Sequence, residues 1–409
     1  MAIRRLKQPE QVEELEIIDI TEDGRGIGRS AGRVVFVDKA IPGDIASVEL
    51  FRRKKTLFEG RISRLVQASA HRVDPFCEHF GTCGGCKWQH LDYPAQLVYK
   101  QKQVSDALER LAGVDAAHIS PIIPSPETSW YRNKLEFTFS NRRWLSPDDF
   151  ALKDKGELSD LNALGFHVPG RFDKIINIDT CYLQQDVSNR IRNAVREYAR
   201  ENCLSFYDLG EHSGFLRNLI IRTASTGELM VILVFAEDQQ EATGRLMDFI
   251  KESFPQVTSL LYIVNRKLND TIFDQEVRCW HGRDHIFEEM AAAGGTVRFK
   301  IGPKSFYQTN SQQALRLYRV AADFAGLKGR EKVYDLYTGA GTIANFIARQ
   351  AGSVTGIEYV EAAVRDAREN SALNNIENTS FFAGDMKDVL TDEFVLANGR
   401  PDVIITDPP

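Results

Sequence analysis

Cys77, Cys83 and Cys86 fall as C-x5-C-x2-C in the stretch FCEHFGTCGGCKWQH, and a fourth cysteine, Cys181, follows much later in NIDTCYL. Three thiols on one short stretch that also holds Gly81, Gly84 and Gly85 can converge on a single small object, because glycine lets the backbone turn tightly around it. Four cysteines suit tetrahedral zinc or an iron–sulfur cluster. Zinc sites of this kind usually pair two C-x2-C knuckles and only one is present, so the spacing favours iron–sulfur. Three reduced core cysteines are the plain alternative, but Glu78, His79, Thr82 and Lys87 beside them make poor core. Cys203 and Cys279 are isolated in apolar surroundings and read as buried core cysteines.

At 409 residues the chain is long enough for two to three domains of about 150 residues each, and with 43% hydrophobic residues these are expected to fold. The start, MAIRRLKQPE, has no apolar signal core. The apolar run at residues 230–236 is too short to cross a bilayer. The expectation is a soluble, cytoplasmic protein with no membrane partner, whose clustered cysteines serve a metal rather than disulfides.

A net charge of −6 argues against a nucleic-acid partner, whose phosphates reward a basic surface, but the average hides an asymmetry. Residues 51–72 hold seven basic side chains (among them Arg52, Arg53, Lys54 and Lys55) against the single acid Glu59. Residues 331–409 hold six basic and thirteen acidic ones. The basic run reads as an RNA contact or, equally, as a solvated strand face.

Three regions follow from the patterning. Residues 12–68 alternate β-rich runs with turns at Asp23-Gly24-Arg25-Gly26 and Pro42-Gly43-Asp44, the signature of a small OB-like barrel. An amphipathic helix is expected with Leu97, Val104, Leu108 and Leu111 on one face. The runs KLEFTFS, FDKIINI, FLRNLIIRTAS and ELMVILVFA read as an antiparallel sheet, interrupted by a helix over residues 187–202. From Val333 onward, strand, glycine turn and helix alternate, which predicts a parallel α/β sheet with nucleotide at its strand ends.

Gly339-x-Gly341-x-x-Ala344 satisfies a dinucleotide fingerprint, and Glu358 stands nineteen residues after Gly339 in the ribose-binding position, so NAD is one reading. Asp335 four residues before Gly339 and Asp385 after the third strand shift the weight. Acids at this turn would repel a pyrophosphate and attract the sulfonium and amino group of S-adenosylmethionine. Asp407-Pro408-Pro409 ends the fourth strand, where a substrate-facing group belongs.

Together these residues resemble the iron–sulfur, TRAM-containing 23S rRNA (uracil-5-)-methyltransferase family, the RNA m5U methyltransferases. The resemblance runs along nearly the whole chain: the barrel turn at residues 42–44, the cysteine triplet, WYRNKLEF at 130–137, SFYQTN at 305–310, the turn at 335–341 and the terminal Asp-Pro-Pro. It implies a multi-domain architecture. Residues 1–70 would form a TRAM/OB-like β-barrel, and residues 71–96 and 126–298 an α+β central domain with a [4Fe-4S] site. Residues 97–125 and 299–409 would form a Rossmann-like α/β class I methyltransferase domain that looks incomplete after its fourth strand.

The resemblance further implies that Cys77, Cys83, Cys86 and Cys181 ligate the cluster, in a structural or RNA-positioning role. Gln308, Tyr337, Gly339, Gly341, Thr342, Glu358, Asp385 and Asp407 would bind S-adenosylmethionine or the target base. Arg132, Lys134, Arg217 and Arg222 become candidates for RNA phosphates. The expected protein is a monomeric enzyme that methylates C5 of a 23S rRNA uridine through a cysteine–uracil adduct. The nucleophilic cysteine and the glutamate base are expected beyond Pro409, so the 409-residue chain by itself is expected to be inactive. A transfer-RNA uracil methyltransferase is the neighbouring reading, although such relatives generally lack the barrel and the cluster. An amino-group methyltransferase acting on adenine or guanine, a non-catalytic RNA-binding protein and an NAD-dependent oxidoreductase are the others.

Overall fold

In the computed structural model, residues 4–53 and 57–408 are described, without the side chains of residues 4–9. Lys54, Lys55 and Pro409 lie outside the described residues. The chain divides into two compact units, Met1–Thr128 with Phe166–Phe172, and Ser129–Gly165 with Asp173–Pro409.

In the first unit, β1 (Arg4–Ile20), β2 (Gly26–Ser30), β3 (Arg33–Asp38), β4 (Ile45–Arg53) and β5 (Leu57–Gln67) close a barrel in the order β1-β2-β3-β5-β4. Only β3 and β5 run parallel; the other pairs are antiparallel. Alternate residues such as Leu15 and Ile17, Val35 and Val37, and Val48 and Leu50 point inward, as a two-residue period dictates. Strand β2 escapes the sequence reading because GIGRS offers one apolar side chain between glycines. Those glycines are there for close packing: a Cβ on Gly28 would lie 2.8 Å from Leu15.

The corner at residues 42–44 closes on Asp44. Its buried carboxylate accepts from Ile41 N at 2.9 Å, Ser69 N at 3.0 Å and Arg72 Nε at 3.0 Å. Burial opposes its ionisation, but Arg72 and these N–H donors outweigh it and hold the carboxyl below its ordinary value.

The helix Tyr93–Ala107 starts at Asp92, whose side chain caps Ala95 N at 2.7 Å. Its polar contacts run to the barrel: Lys102 pairs with Asp19 at 2.7 Å and Gln103 Nε2 donates to Ile20 O at 3.1 Å. The segment expected to belong to the methyltransferase domain thus clusters with the first unit. Its expected apolar face is not a core face, since Val104 and Leu111 are exposed.

A seven-stranded sheet runs β12-β11-β10-β9-β6-β7-β8, formed by β6 (Lys134–Ser140), β7 (Ala163–Val168), β8 (Arg171–Asn177), β9 (Leu216–Thr223), β10 (Leu229–Phe235), β11 (Ser259–Val264) and β12 (Val277–Gly282), all within the second unit except the hairpin tip Phe166–Phe172. It is mixed rather than antiparallel: β10 and β11 are parallel, because the helix Gln240–Ser253 carries the chain back between them. A hairpin, β13 (Ile286–Ala292) and β14 (Gly295–Ile301), then packs Val297 and Phe299 against Val364 and Ala367. Asn370 and Asn374 accept from Lys300 N and Arg298 N at 2.8 and 2.7 Å. Strand β14 therefore continues through residue 298, where the sequence reading placed a domain boundary.

The α/β module has four parallel strands in the order β17-β16-β15-β18: β15 (Lys332–Leu336), β16 (Ser353–Glu358), β17 (Thr379–Ala383) and β18 (Val403–Thr406). Chain order reverses beside β15, and the carboxyl ends of β15 and β18 flank that switch, the place where such sheets bind ligands. No helix among the described residues is long and apolar enough to cross a membrane.

Replacing Asp44 with asparagine leaves Arg72 without a buried counter-charge and is expected to cost about 3 kcal/mol. Urea titration followed by circular dichroism measures it. A carboxyl with a depressed folded value contributes above its unfolded value and loses that contribution as pH falls below about 4, so the gap between wild type and Asp44→Asn should narrow there.

Candidate active site

The turn after β15 is built on a buried carboxyl. Asp335 is 1% exposed; its Oδ2 accepts from Thr338 Oγ1 at 2.5 Å and from Ala344 N at 3.1 Å. Burial, reinforced by Asp407 and Glu358, pushes this carboxyl up to about 7 against the pull of its two donors. Asp335 therefore organises the turn from beneath and does not face the cleft, contrary to the charge argument from sequence. Tyr337, Gly339 and Gly341 take positive φ of 63°, 56° and 73°. Only glycine fits at 341, where a Cβ would lie 2.9 Å from the Cβ of Ala367.

Above the turn opens a cleft of about 1170 Å³. Of the eight residues expected there, Gln308, Tyr337, Gly339, Thr342, Glu358, Asp385 and Asp407 all line it. Gly341 does not; it packs behind the turn. Glu358, at the end of β16, accepts from Gly339 N at 3.0 Å through one oxygen and from Val360 N at 2.9 Å through the other. Each oxygen keeps a lone pair for a further donor. Asp385 ends the loop after β17, where the Lys387 ammonium at 3.1 Å and the Lys387 N–H hold its carboxyl below the ordinary value. Asp407 is exposed at the end of β18.

Glu358, Asp385 and Asp407 thus bring three carboxyl groups to the cleft from the ends of β16, β17 and β18, beside Glu276, Asp284 and Asp366, which line it with Lys300 and Lys304. Tyr359, Val360 and Met386 add apolar surface between them. Sequence reasoning missed these, as it missed Tyr318, whose hydroxyl donates to Thr342 Oγ1 at 3.3 Å and is pushed up to about 12 by burial. The signal available was position, since Tyr359 and Val360 directly follow the acid that ends β16.

Gln308 is held from below. Asn133 Nδ2 donates to Gln308 O at 2.8 Å and Asn133 N to Thr309 O at 2.8 Å. Arg222 Nη2 donates to Ser305 O at 2.7 Å, and Ser305 Oγ to Asp366 at 2.7 Å. Arg222 is thereby corrected from an RNA candidate to a buried clamp, its guanidinium lowered by burial to about 10. Arg217 is buried as well, bonded to Asp270 and to the carbonyls of Asn265 and Lys267. Lys134 is part-buried and lowered by that burial and by Arg222, while Arg132 Nε donates to Lys134 O at 3.4 Å. On the barrel, exposed Arg52 pairs with Glu59 at 3.3 Å and exposed Arg53 lies over the Phe58 ring.

Cys77, Cys83 and Cys86 are half-buried on one loop. His79 O accepts from Thr82 N and Cys83 N, and Gly85 N donates to Cys83 Sγ at 3.4 Å. Burial pushes the Cys77 thiol up, and the charge of Cys86 adds to the effect. Among the described residues these cysteines do not come together as a group that could hold a metal ion. In the second unit Cys181 is buried, and its N–H donates to Asn189 Oδ1 at 2.9 Å. Cys203 and Cys279, expected in the core, are both exposed. Cys203 follows a helix end at φ 52°, and Cys279 lies on β12, the sheet's edge strand. Neither lines the cleft.

Comparison with known proteins is consistent along the whole chain. The family described as "Methyltransferase domain" matches residues 327–408. A Bacteroides thetaiotaomicron protein named an uncharacterised RNA methyltransferase is 54% identical over 390 residues, covering 95% of this chain and 85% of that one. A Porphyromonas gingivalis protein of the same description is 52% identical over 398 residues, covering 97% and 85%. Among solved structures, the tRNA (uracil-54, C5)-methyltransferase of Pyrococcus abyssi in complex with S-adenosyl-L-homocysteine superposes with a TM-score of 0.70 at 27% identity, over 97% of this chain and 84% of that one.

Because the raised Asp335 carboxyl stays protonated in the folded state up to about pH 7, it opposes folding progressively as pH rises from about 4, the unfolded value, toward 7. Asp335→Asn keeps the shape and an acceptor for Thr338 and Ala344 but cannot ionise. Its melting temperature relative to wild type should therefore improve between pH 4 and pH 8; a constant difference across that range would mean that the carboxyl is ionised throughout.

Proposed function

The chain belongs to the RNA methyltransferase family, and we propose that it methylates C5 of a uridine in 23S ribosomal RNA with S-adenosylmethionine as donor. The observation that carries this reading is the cleft: Glu358, Asp385 and Asp407, at the ends of three parallel strands, line it with apolar Tyr359 and Val360. S-adenosylmethionine supplies an electrophilic methyl group on a cationic sulfonium, which carboxylates at the strand ends attract, whereas they repel a diphosphate.

In this proposal the free lone pairs of Glu358 accept the ribose hydroxyls, and Asp385, kept ionised by Lys387, accepts the adenine amino group. Tyr337, Gly339 and Thr342 shape the donor's seat from the turn. Gln308, on its clamped loop, and Asp407 face the target base. C5 of uracil is a weak nucleophile, so the proposal includes a cysteine thiolate that bonds to C6 and makes C5 carbanion-like. After methyl transfer a base removes the C5 proton and the thiolate departs. No cysteine lies among the described residues lining the cleft.

A [4Fe-4S] cluster on Cys77, Cys83 and Cys86, with Cys181 as the fourth ligand implied by the sequence resemblance, belongs to the same proposal. Arg52, Arg53, Arg132 and Lys134 are its RNA-facing candidates, and the cytoplasm is where such an RNA is met. A second reading, a transfer-RNA substrate, is favoured by the Pyrococcus alignment. That protein, named for tRNA, matches 97% of this chain.

Transfer of labelled methyl to unmodified 23S rRNA and to transfer RNA, with the product nucleoside identified by mass spectrometry, tests the proposal. 5-Methyluridine in ribosomal RNA is expected wherever the thiolate nucleophile is present; the same product in transfer RNA alone selects the second reading, and methylated adenine or guanine overturns both. Activity of the 409-residue chain by itself would put the nucleophile within it, at Cys203 or Cys279. Independently, Glu358→Gln is expected to weaken S-adenosylhomocysteine binding about tenfold by calorimetry, the worth of a hydrogen bond to a charged group.

A further inference from the structure

The first unit carries a hollow of about 630 Å³ between the cysteine loop and the hairpin tip Phe166–Phe172. Its two walls are fixed by backbone. Gly84 N donates to His167 O at 3.1 Å, and a Cβ on Gly84 would stand 2.6 Å from that same oxygen. Position 84 is glycine because the hairpin occupies the space a side chain would need. The tip itself turns at Gly170, with φ 73°.

The side chains on these walls form an unusual set. Phe172 is 75% exposed, a large ring left in water beside exposed Arg171, and Lys87 projects from the cysteine loop. No acid lines the hollow. Among the described residues neither Arg171 nor Lys87 has a carboxylate within ion-pair distance, whereas exposed arginines elsewhere, such as Arg61 and Arg200, pair with Glu49 and Asp160. In a chain of net charge −6, an acid-free hollow with two unneutralised cations and an exposed ring is complementary to one kind of occupant. A polyanion with planar faces meets both features: its phosphates find the cations and an unstacked base finds the ring.

We propose that this hollow seats a single-stranded nucleotide of the RNA substrate, with its base on Phe172 and adjoining phosphates on Arg171 and Lys87. The inference rests on the family's RNA substrate and deepens it: the cysteine loop serves as one wall of an RNA platform. Duplex RNA buries its base faces and would gain only the charge.

Fluorescence anisotropy tests this with a fluorescein-labelled oligouridylate, free or annealed to oligoadenylate, against wild type, Phe172→Ala, Phe172→Tyr and Arg171→Ala. Phe172→Ala should weaken single-strand binding about tenfold, leave duplex binding unchanged, and be rescued by Phe172→Tyr. Arg171→Ala should lower the slope of log affinity against log salt by about 0.7, the share of one phosphate on a single strand, while Phe172→Ala leaves that slope unchanged. Calorimetric binding of S-adenosylhomocysteine, equal in all four proteins, establishes that the variants are folded.

Unchanged single-strand affinity in Phe172→Ala overturns the proposal. So does equal weakening toward both probes, which would make the site a plain charge patch, and so does unchanged RNA affinity with loss of binding to assembled ribosomal particles, which would make it a protein contact. Failure of the wild type to bind either probe would instead overturn the family's RNA substrate for this chain.

Discussion

The cleft depends on the burial of one carboxyl. Asp335 is the penultimate residue of the inner strand β15, beneath a turn in which Tyr337, Gly339 and Gly341 take positive φ, and it holds both sides of that turn by accepting from Thr338 and Ala344. A buried carboxyl without donors would cost several kcal/mol, so the turn and the acid specify each other. Glu358, on the adjacent strand, then ties itself to Gly339 N and leaves its remaining lone pairs outward. Two carboxyls of the same chemistry serve different ends because one is enclosed and the other is open to the cleft.

The same logic separates the arginines. Arg217 and Arg222 are almost fully buried, and both spend their guanidinium forks on backbone carbonyls. A planar group with five donors can satisfy several carbonyls at once, which suits it to stapling loops as well as to phosphates. Arg222 and Asn133 fasten the 305–310 loop from the side of the large sheet, which explains why the segments WYRNKLEF and SFYQTN, far apart in sequence, act on one position, Gln308. The cations that remain available to a polyanion are those without such partners, and Arg171 is one of them.

Much of this was legible in the residue pattern. The barrel's alternation, the switch to strand-turn-helix after Val333 and the spacing of Glu358, Asp385 and Asp407 from the glycine turn each reflect a local geometric period; the barrel and the parallel sheet form, and the three acids line the cleft. What failed did so where local signals are silent. β2 carries too few apolar side chains to announce a strand, and β10 and β11 became parallel only because of the intervening crossover. The stripe of the helix Tyr93–Ala107 has apolar spacing but faces no core. Cys203 and Cys279 have apolar neighbours in sequence and solvent in space.

By itself the sequence determined which chemistry the chain can hold: a triplet of thiols on a glycine-rich loop, and acids spaced to end successive strands of a nucleotide-type sheet. These follow from covalent spacing and backbone geometry, which are local. Tertiary structure decided direction. Whether an acid looks into a turn, as Asp335 does, or out of it, as Glu358 does, and whether an arginine grips a carbonyl or stays free, depends on which distant segment covers it, and burial is a property of the packed chain rather than of any stretch of it.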